Sequence, residues 1–199
     1  RRNVRHQTRA LFDKQAEVIA TRESRCVGPA RVSIGSVRMT SRVTSYLVRL
    51  YDRVVGGGDL DLPERRFETT GLRIELPESA IPPTQDPLGA LHALEHTLVG
   101  IAPIVLACDP TDLAGFATLL EPHSGGPAVF VYDAHEGGIG LADRAFEQLD
   151  RLLCSVRDVL ERCPCESGCP ACCLSPRCGA DNRPMDKAGA AELARAMLG

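Results

Sequence analysis

Hydrophobic and polar residues alternate along the first part of the chain. Between residues 15 and 50 the alternation is accompanied by many β-branched side chains, most clearly in segments 30–40 and 42–50. A period of two places successive side chains on opposite faces of a strand, so these segments predict antiparallel strands. Three glycines followed by an aspartate at 56–59 predict a turn, and residues 67–76 predict a further strand that ends at Pro77.

The stretch from Pro77 to Pro87 contains four prolines and predicts a linker. It separates a β-rich first part from a second part with a different periodicity. We therefore predict two subdomains, a β-rich one over 1–80 and an α/β one over 86–199, which together form one domain.

Helical spacing dominates the second part. Asp86 followed by Pro87 is typical of a helix N-terminus, and the leucine stripe after it predicts a helix that ends near Pro103. Later elements are predicted from their apolar runs and turn residues: a short apolar run at 103–108, a polar loop at 109–112, a buried strand at 127–133, a helix after Gly140 with a stripe up to residue 160, and a last helix that starts at Asp186. The predicted fold class is α+β.

The amino-acid composition indicates a folded domain with a buried core. The 199 residues are 44% hydrophobic, which is enough for a buried core, and no apolar run looks long enough to span a bilayer, so no membrane partner is expected. Since the chain starts with two arginines and no methionine, we expect it to be a piece of a longer protein.

The charge is unevenly distributed. Residues 1–75 carry 15 Lys+Arg and 9 Asp+Glu, a net charge of +6, whereas residues 76–199 carry 8 and 17, a net charge of −9. A basic first part is compatible with nucleic acid or an acidic partner surface, and equally with a solvated sheet face. The candidates for nucleic-acid contact are the arginines at polar positions of the predicted strands, Arg31, Arg38, Arg42 and Arg49.

Six of the nine cysteines lie within the sixteen residues from Cys163 to Cys178. Thiolates a few residues apart, separated by glycine and proline turns, converge readily on one metal ion. A disulfide framework would require an oxidising compartment, and the chain has no secretory signal. The spacings typical of iron–sulfur proteins are missing, so the cluster predicts one structural Zn²⁺.

Six cysteines compete for four coordination positions. Cys169 and Cys172 have the C-x2-C spacing of a zinc knuckle, Cys165 precedes them by four residues and Cys178 follows the turn at residues 175–176. We predict Cys165, Cys169, Cys172 and Cys178 as the ligands, with Cys163 as an alternate for Cys165. Cys173 is expected to be excluded, because it would have to point the same way as its neighbour.

Three other patterns suggest catalysis. His92, Glu95 and His96 match the H-x-x-E-H motif of inverted zinc proteases, with the histidines as ligands, Glu95 as base and a downstream glutamate as third ligand. Acidic side chains in two loops provide an alternative hydrolase site, namely Asp109, Asp112, Asp133 and Glu136. The glycines at 137–140 could hold a phosphate, but nearby carboxylates would repel it, and a tight strand-to-helix turn explains them better.

The motifs of a nucleotide-driven motor are missing from these residues. There is no G-x-x-x-x-G-K-[ST] loop and no Asp-Glu-x-[Asp/His] box, so this chain is not expected to be a motor or, by itself, an enzyme.

Several segments taken in order resemble one family: 91–96 (Leu-His-Ala-Leu-Glu-His), 107–112 (Ala-Cys-Asp-Pro-Thr-Asp), 131–142, and the cysteine segment 163–172 followed by 175–179. Together they resemble the C-terminal zinc-binding domain of the mitomycin repair factor A family, which are superfamily-two DNA helicases of bacteria with relatives among eukaryotic RecQ-type helicases. The resemblance covers about residues 15 to 198. One departure is Cys173, where an aliphatic residue is commoner.

The resemblance implies a function for the longer protein. It would be an ATP-dependent helicase that translocates 3′ to 5′ on single-stranded DNA in repair, using ATP and Mg²⁺ in motor domains of the same polypeptide, in the cytoplasm at the nucleoid. This domain would be a noncatalytic accessory that packs on the motor and helps to handle single-stranded DNA. A metal-dependent hydrolase and a pure protein-interaction module are the alternatives.

Overall fold

The computed structural model describes residues 6–51, 53–83 and 86–199. Its elements, in chain order, are strands β1 (His6–Val27), β2 (Ala30–Leu50), β3 (Arg53–Asp59) and β4 (Arg65–Glu75), a 3-10 turn (Glu78–Ala80), helix α1 (Pro87–Leu106), strands β5 (Leu113–Thr118) and β6 (Ala128–Asp133), and helices α2 (Leu141–Glu147), α3 (Leu149–Arg162) and α4 (Lys187–Leu198).

The strands form one antiparallel sheet in the order β1-β2-β4-β6-β5, with β3 paired to the distal half of β2. The hairpin of β1 and β2 is much longer than the segments predicted from the sequence, because β2 continues through residue 41 without a break. Residues 56–59, predicted as a turn, belong to β3. Their glycines pair with residues of β2 from Tyr46 to Val48, and the absence of side chains suits this close approach to Tyr46.

The two predicted parts of the chain share one sheet. β4 comes from the first part and β6 from the second, and they pair from Gly71 opposite Tyr132 to Glu75 opposite Ala128. Beyond this pairing, the Leu76 amide donates to the Pro127 carbonyl at 3.0 Å. The proline-rich segment therefore connects elements that pack around a common core.

The sheet has two buried faces. Its larger face packs against the helices through residues such as Val32, Ile34, Leu72 and Ile74, which meet Leu91 and Leu94 of α1. Its smaller face buries Val37, Met39, Phe130 and Tyr132. All six residues of β6 are buried, which confirms the prediction of a buried strand there.

Helix α1 begins as predicted and ends later than predicted. The Asp86 side chain accepts from the Gly89 amide at 2.9 Å, and Pro87 is the first helical residue. The helix continues past Pro103 to Leu106, so residues 103–106 are its last turn and not a separate apolar run. The turn closes on Ala107, whose left-handed conformation lets its amide donate to the Pro103 carbonyl.

Contrary to the expectation from the sequence, α1 is long and apolar enough to cross a membrane by length and composition alone. Half of that apolar window is buried inside the protein, against β5, β6, α3 and α4. A core helix of a folded domain has the same composition, and the observed packing accounts for this one.

Two further elements differ from the sequence prediction. Strand β5 was not predicted, because its six residues include Gly115 and do not alternate clearly. The single helix predicted after Gly140 is two helices, α2 and α3, which meet at Gln148. The predicted start of the last helix at Asp186 is confirmed, because the Asp186 carboxylate accepts from the Gly189 amide at 2.9 Å.

Asp133 fills the glycine turn that resembled a phosphate loop. Its buried carboxylate accepts from the amides of Ile139 at 2.5 Å, Gly140 at 2.8 Å and Ala142 at 2.7 Å. These amides are the donors that an anion would need at the N-terminus of α2. The turn is therefore occupied by the protein's own carboxylate, in agreement with the structural interpretation of its glycines.

We predict that Asp133→Ala destabilises the domain by about 3 kcal/mol, because three amides, of which that of Ala142 is buried, lose a charged acceptor. Urea unfolding followed by circular dichroism measures the change. Glu136→Ala is the matched control, since Glu136 lies in the same turn and is exposed, and it should cost less than about 0.5 kcal/mol. Equal stability of the two variants would contradict the capping role.

Candidate metal centre

Four cysteine sulfurs converge in the segment between α3 and α4. The Sγ atoms of Cys163, Cys165, Cys169 and Cys172 all lie within 4.8 Å of one another. Individual separations are 3.5 Å for Cys163 to Cys165, 3.5 Å for Cys163 to Cys169, 3.5 Å for Cys165 to Cys172 and 3.8 Å for Cys169 to Cys172.

These separations fit a tetrahedral zinc site. Zinc–sulfur bonds of about 2.3 Å at tetrahedral angles place the sulfurs about 3.8 Å apart. A disulfide would require about 2.05 Å, and all nine cysteines are free thiols. The donor set, four sulfurs with no oxygen or nitrogen ligand, is also one that a structural zinc prefers.

Local backbone geometry brings the sulfurs together. Helix α3 ends at Arg162, so Cys163 and Cys165 leave its C-terminus in extended chain. Beyond them, the Cys169 carbonyl accepts from the amides of Cys172, Cys173 and Leu174 in a tight turn, and the Cys169 amide points at the Cys172 sulfur at 3.2 Å. An amide directed at a sulfur stabilises the thiolate that a metal requires.

Gly168 is required for this turn. Its φ of +106° is a conformation that residues with a side chain rarely adopt, and a Cβ there would lie 2.6 Å from the Cys173 sulfur. Cys173 is buried beneath the turn and lies outside the group of four.

Two of the clustered thiols differ in acidity. Burial opposes ionisation of Cys165, but its contacts with Cys172, Cys163 and Cys169 outweigh it and lower the pKa of this thiol to about 7. Burial raises the pKa of Cys172 to about 11, and its contacts with Cys165 and Cys173 add to the effect. At neutral pH a metal ion would therefore find one thiol readily ionised and would displace the proton of another.

Among the predicted ligands Cys178 lies outside this group, whereas Cys163, predicted as an alternate for Cys165, lies inside it. The Cys178 sulfur lies 3.4 Å from His92 Nε2 and accepts from the amides of Asn182 at 3.2 Å and Ala180 at 3.4 Å. The turn at 175–176 carries Cys178 away from the zinc knuckle and toward α1. Spacing alone could not show this, because the direction of the turn depends on what the loop packs against.

Lys187 is a further residue of the site that the sequence reading missed. Although it is only 8% exposed, its Nζ donates to the carbonyls of Cys163 and Cys165 at 2.6 Å each. A cation in the first turn of a helix is electrostatically unfavourable. A lysine at that position of the sequence was therefore the one sign that the residue has another role. The lysine fixes the first two cysteines and places a positive charge beside a cluster of thiolates.

The segment that follows the cysteines is attached to the β1–β2 hairpin. Asp181 forms ion pairs with Arg9, at 2.6 Å, and with Arg49. The Phe12 amide donates to the Gly179 carbonyl at 3.2 Å, and a side chain at Gly179 would collide with the Phe12 ring. The cysteine segment thus connects the helices to the far strands of the sheet.

The four candidate arginines for nucleic-acid contact do not share one environment. Arg38 pairs with Glu17 at 2.7 Å and Glu68 at 2.6 Å, and those carboxylates raise its pKa. Arg42 pairs with Asp61 at 2.5 Å, and Arg49 is held by Asp181.

Arg31 differs from the other three. It is exposed, and the ion pairs found among the described residues do not include it. It lies seven residues from Arg38 on an unbroken stretch of β2, so the two point to opposite faces of the sheet.

The H-x-x-E-H helix brings its two histidines together, but with a different third group from the one predicted. His92 and His96 lie near Cys178, and no downstream glutamate joins them in the described part of the chain. Glu95 is buried against Gly115, and burial raises the pKa of its carboxyl group.

Three carboxylates of the acidic loops also have hydrogen-bond partners within the protein. Asp109 accepts from the amide and hydroxyl of Thr111, Asp112 pairs with His135 at 3.0 Å, and Asp133 caps α2. No group of these carboxylates is close enough to share a metal ion within residues 6–51, 53–83 and 86–199.

Comparison with known proteins agrees with this site. A family model described as the MrfA Zn-binding domain matches residues 94–173, which include all four clustered cysteines. The uncharacterized protein MJ1572.1 of Methanocaldococcus jannaschii is 32% identical over 114 residues, which cover 54% of this chain and 99% of that protein. The chain belongs to the MrfA Zn-binding domain family. It is thus a zinc-binding domain, as the resemblance implied.

Other proteins similar to this chain are much longer. The ATP-dependent helicase YprA of Bacillus subtilis is 31% identical over 125 residues, 59% of this chain but only 16% of that helicase. The crystal structure of the DUF1998 helicase MrfA bound to DNA shares the fold, with a TM-score of 0.68 and 23% identity over 98% of this chain and 26% of that one. In such relatives the zinc-binding domain and the helicase are one polypeptide, and this chain spans about a sixth of YprA.

We predict that Cys163→Ser weakens zinc binding by roughly a hundredfold or more, because one of four ligands contributes about a quarter of the 10–16 kcal/mol typical of such sites. Competition with a chromophoric chelator measures the affinity. The matched control is Cys173→Ser, which changes a neighbouring buried thiol outside the cluster and should leave the affinity nearly unchanged. Unaltered zinc binding in Cys163→Ser would remove Cys163 from the ligand set.

Lys187→Met should destabilise the domain by about 2–3 kcal/mol, because two partly buried carbonyls lose their charged donor. The free energy of unfolding in urea, at a fixed excess of zinc, is the measurement. Arg195→Met on the same helix is the control: its ion pair with Glu161 is 2.8 Å long but exposed, and its loss should cost less than about 1 kcal/mol. A similar loss in both variants would assign Lys187 no special role.

Proposed function

We propose that this domain is a noncatalytic, zinc-stabilised accessory module of an ATP-dependent DNA helicase that moves 3′ to 5′ and acts in DNA repair. The observation that carries the proposal is the closed set of four sulfurs at tetrahedral spacing. Catalytic zinc sites keep a position for water or substrate, whereas four protein ligands leave none. The site therefore suits a structural role.

One Zn²⁺ held by Cys163, Cys165, Cys169 and Cys172 would cross-link the end of α3 to the segment that leads into α4. Such a cross-link stabilises folding directly, by about 10 kcal/mol or more in small zinc modules. ATP and Mg²⁺ would be bound by motor domains elsewhere in the same polypeptide. A cytoplasmic location at the nucleoid follows from that role.

Handling of single-stranded DNA is supported by charge. The first 75 residues carry a net charge of +6, and Arg31 is exposed on β2 with no ion pair among the described residues. Cations of this kind bind phosphates and release condensed counterions; because added salt makes that release less favourable, the affinity depends on salt. Arg38, in contrast, is already neutralised by two glutamates.

The test is fluorescence anisotropy of a labelled single-stranded oligonucleotide titrated with this chain, from about 50 to about 200 mM salt. We expect binding that weakens with salt. Arg31→Ala should reduce the slope of log affinity against log salt by about 0.7, the value for one lost phosphate contact on a single strand.

The matched control is Arg38→Ala, a change of the same size on the same strand, which should alter the slope less because Glu17 and Glu68 occupy that guanidinium. Absence of binding at about 50 mM salt, with the chain folded and loaded with zinc, would contradict DNA handling by this domain and would favour an interaction module.

A further inference from the structure

A second group of metal-ligand atoms lies beside the tetracysteine site. His92 and His96 are four residues apart on α1 and therefore point to the same side of the helix. With Cys178 they place three ligand atoms within 4.8 Å of one another. Neither the family match at 94–173, which excludes His92 and Cys178, nor the structural role of the four cysteines explains this arrangement.

The hydrogen bonds of the two histidines fix which ring nitrogen is available. His92 Nδ1 lies 2.8 Å from the Pro184 carbonyl oxygen, and His96 Nδ1 lies 2.8 Å from the Cys173 carbonyl oxygen. A carbonyl oxygen only accepts, so each Nδ1 carries a hydrogen, and in the neutral ring the lone pair then lies on Nε2. Backbone carbonyls orient metal-binding histidines in the same way in many proteins.

The Cys178 sulfur is prepared as an acceptor. Two backbone amides, of Asn182 at 3.2 Å and of Ala180 at 3.4 Å, are directed at it. Donors of this kind favour a thiolate over a thiol. Cys178 as a residue is only 6% exposed, and its sulfur also contacts His92 Nε2.

The distance between ligands also fits a metal ion. Cys178 Sγ and His92 Nε2 are 3.4 Å apart. Zinc bonds of about 2.0–2.1 Å to nitrogen and about 2.3 Å to sulfur, at a tetrahedral angle, require about 3.6 Å. Two imidazoles and one thiolate are a donor set that borderline-soft divalent ions such as Zn²⁺ accept.

We propose that His92, His96 and Cys178 form a second metal site, which binds one Zn²⁺ or a similar divalent ion independently of the four clustered cysteines. The ion would join α1 to the loop that leads into α4, while the tetracysteine site joins α3 to the same loop. The chain would then bind two metal ions, whereas the sequence predicted a single zinc. This proposal does not depend on DNA binding. The alternative is an ordinary hydrogen bond between the Cys178 thiol and His92.

The experiment is a metal count on this chain, saturated with zinc under reducing conditions and passed into metal-free buffer. Native mass spectrometry and elemental analysis should give two zinc ions per chain. Cys178→Ser and His92→Gln should each give one, and Cys163→Ser should weaken binding at the other site only. His135→Gln is the control, because His135 is exposed and pairs with Asp112, and it should retain two.

Cobalt gives a second readout. In the cobalt-loaded chain, Cys178→Ser should lose about one fifth of the thiolate-to-metal absorption, since one of five thiolate ligands disappears. A count of one zinc per wild-type chain would overturn the proposal even if the variants failed to fold. Two ions in wild type and still two in both Cys178→Ser and His92→Gln would place the second ion elsewhere and overturn it equally.

Discussion

The convergence of four sulfurs is the constraint on which the second half of the domain depends. Residues 163–186 form no regular element, and they carry the chain from the end of α3 to the start of α4. Such a segment orders poorly by hydrophobic burial alone, because it consists largely of turns whose backbone must be fixed. A metal ion held by Cys163, Cys165, Cys169 and Cys172 would compensate for that entropy, and Lys187 holds the first two cysteines from α4.

The same segment transmits this order to the rest of the fold. Cys173 and Pro184 offer their carbonyls to the histidines of α1, while Asp181 binds arginines of β1 and β2. One loop thus contacts the central helix, the last helix and the far hairpin of the sheet. Loss of the metal would therefore disturb the contacts of the loop with all three elements. This is the behaviour expected of a structural zinc site and not of a catalytic one.

The tertiary structure also determines which arginines of the basic first part are available to a partner. The excess of arginine there was compatible with a nucleic-acid contact and equally with a solvated sheet face, and in the structure Arg38, Arg42 and Arg49 pair with carboxylates that the fold brings from distant positions. Ion pairs of this type contribute little to stability when exposed, but they reduce the charge available to a phosphate. Of the four candidates, Arg31 is the one outside the ion pairs found among the described residues.

Local patterns were sufficient for the features that depend on near neighbours. The caps at Asp86 and Asp186, the buried strand at 128–133 and the proximity of the Cys169 and Cys172 sulfurs all followed from residues a few positions apart. Only the tertiary structure decided which cysteine completes the cluster and that Cys178 turns toward His92 and His96. The reason is physical: the spacing of cysteines limits which sulfurs can reach a common point, whereas the packing of the loop against α1 and the hairpin selects the sulfurs that do.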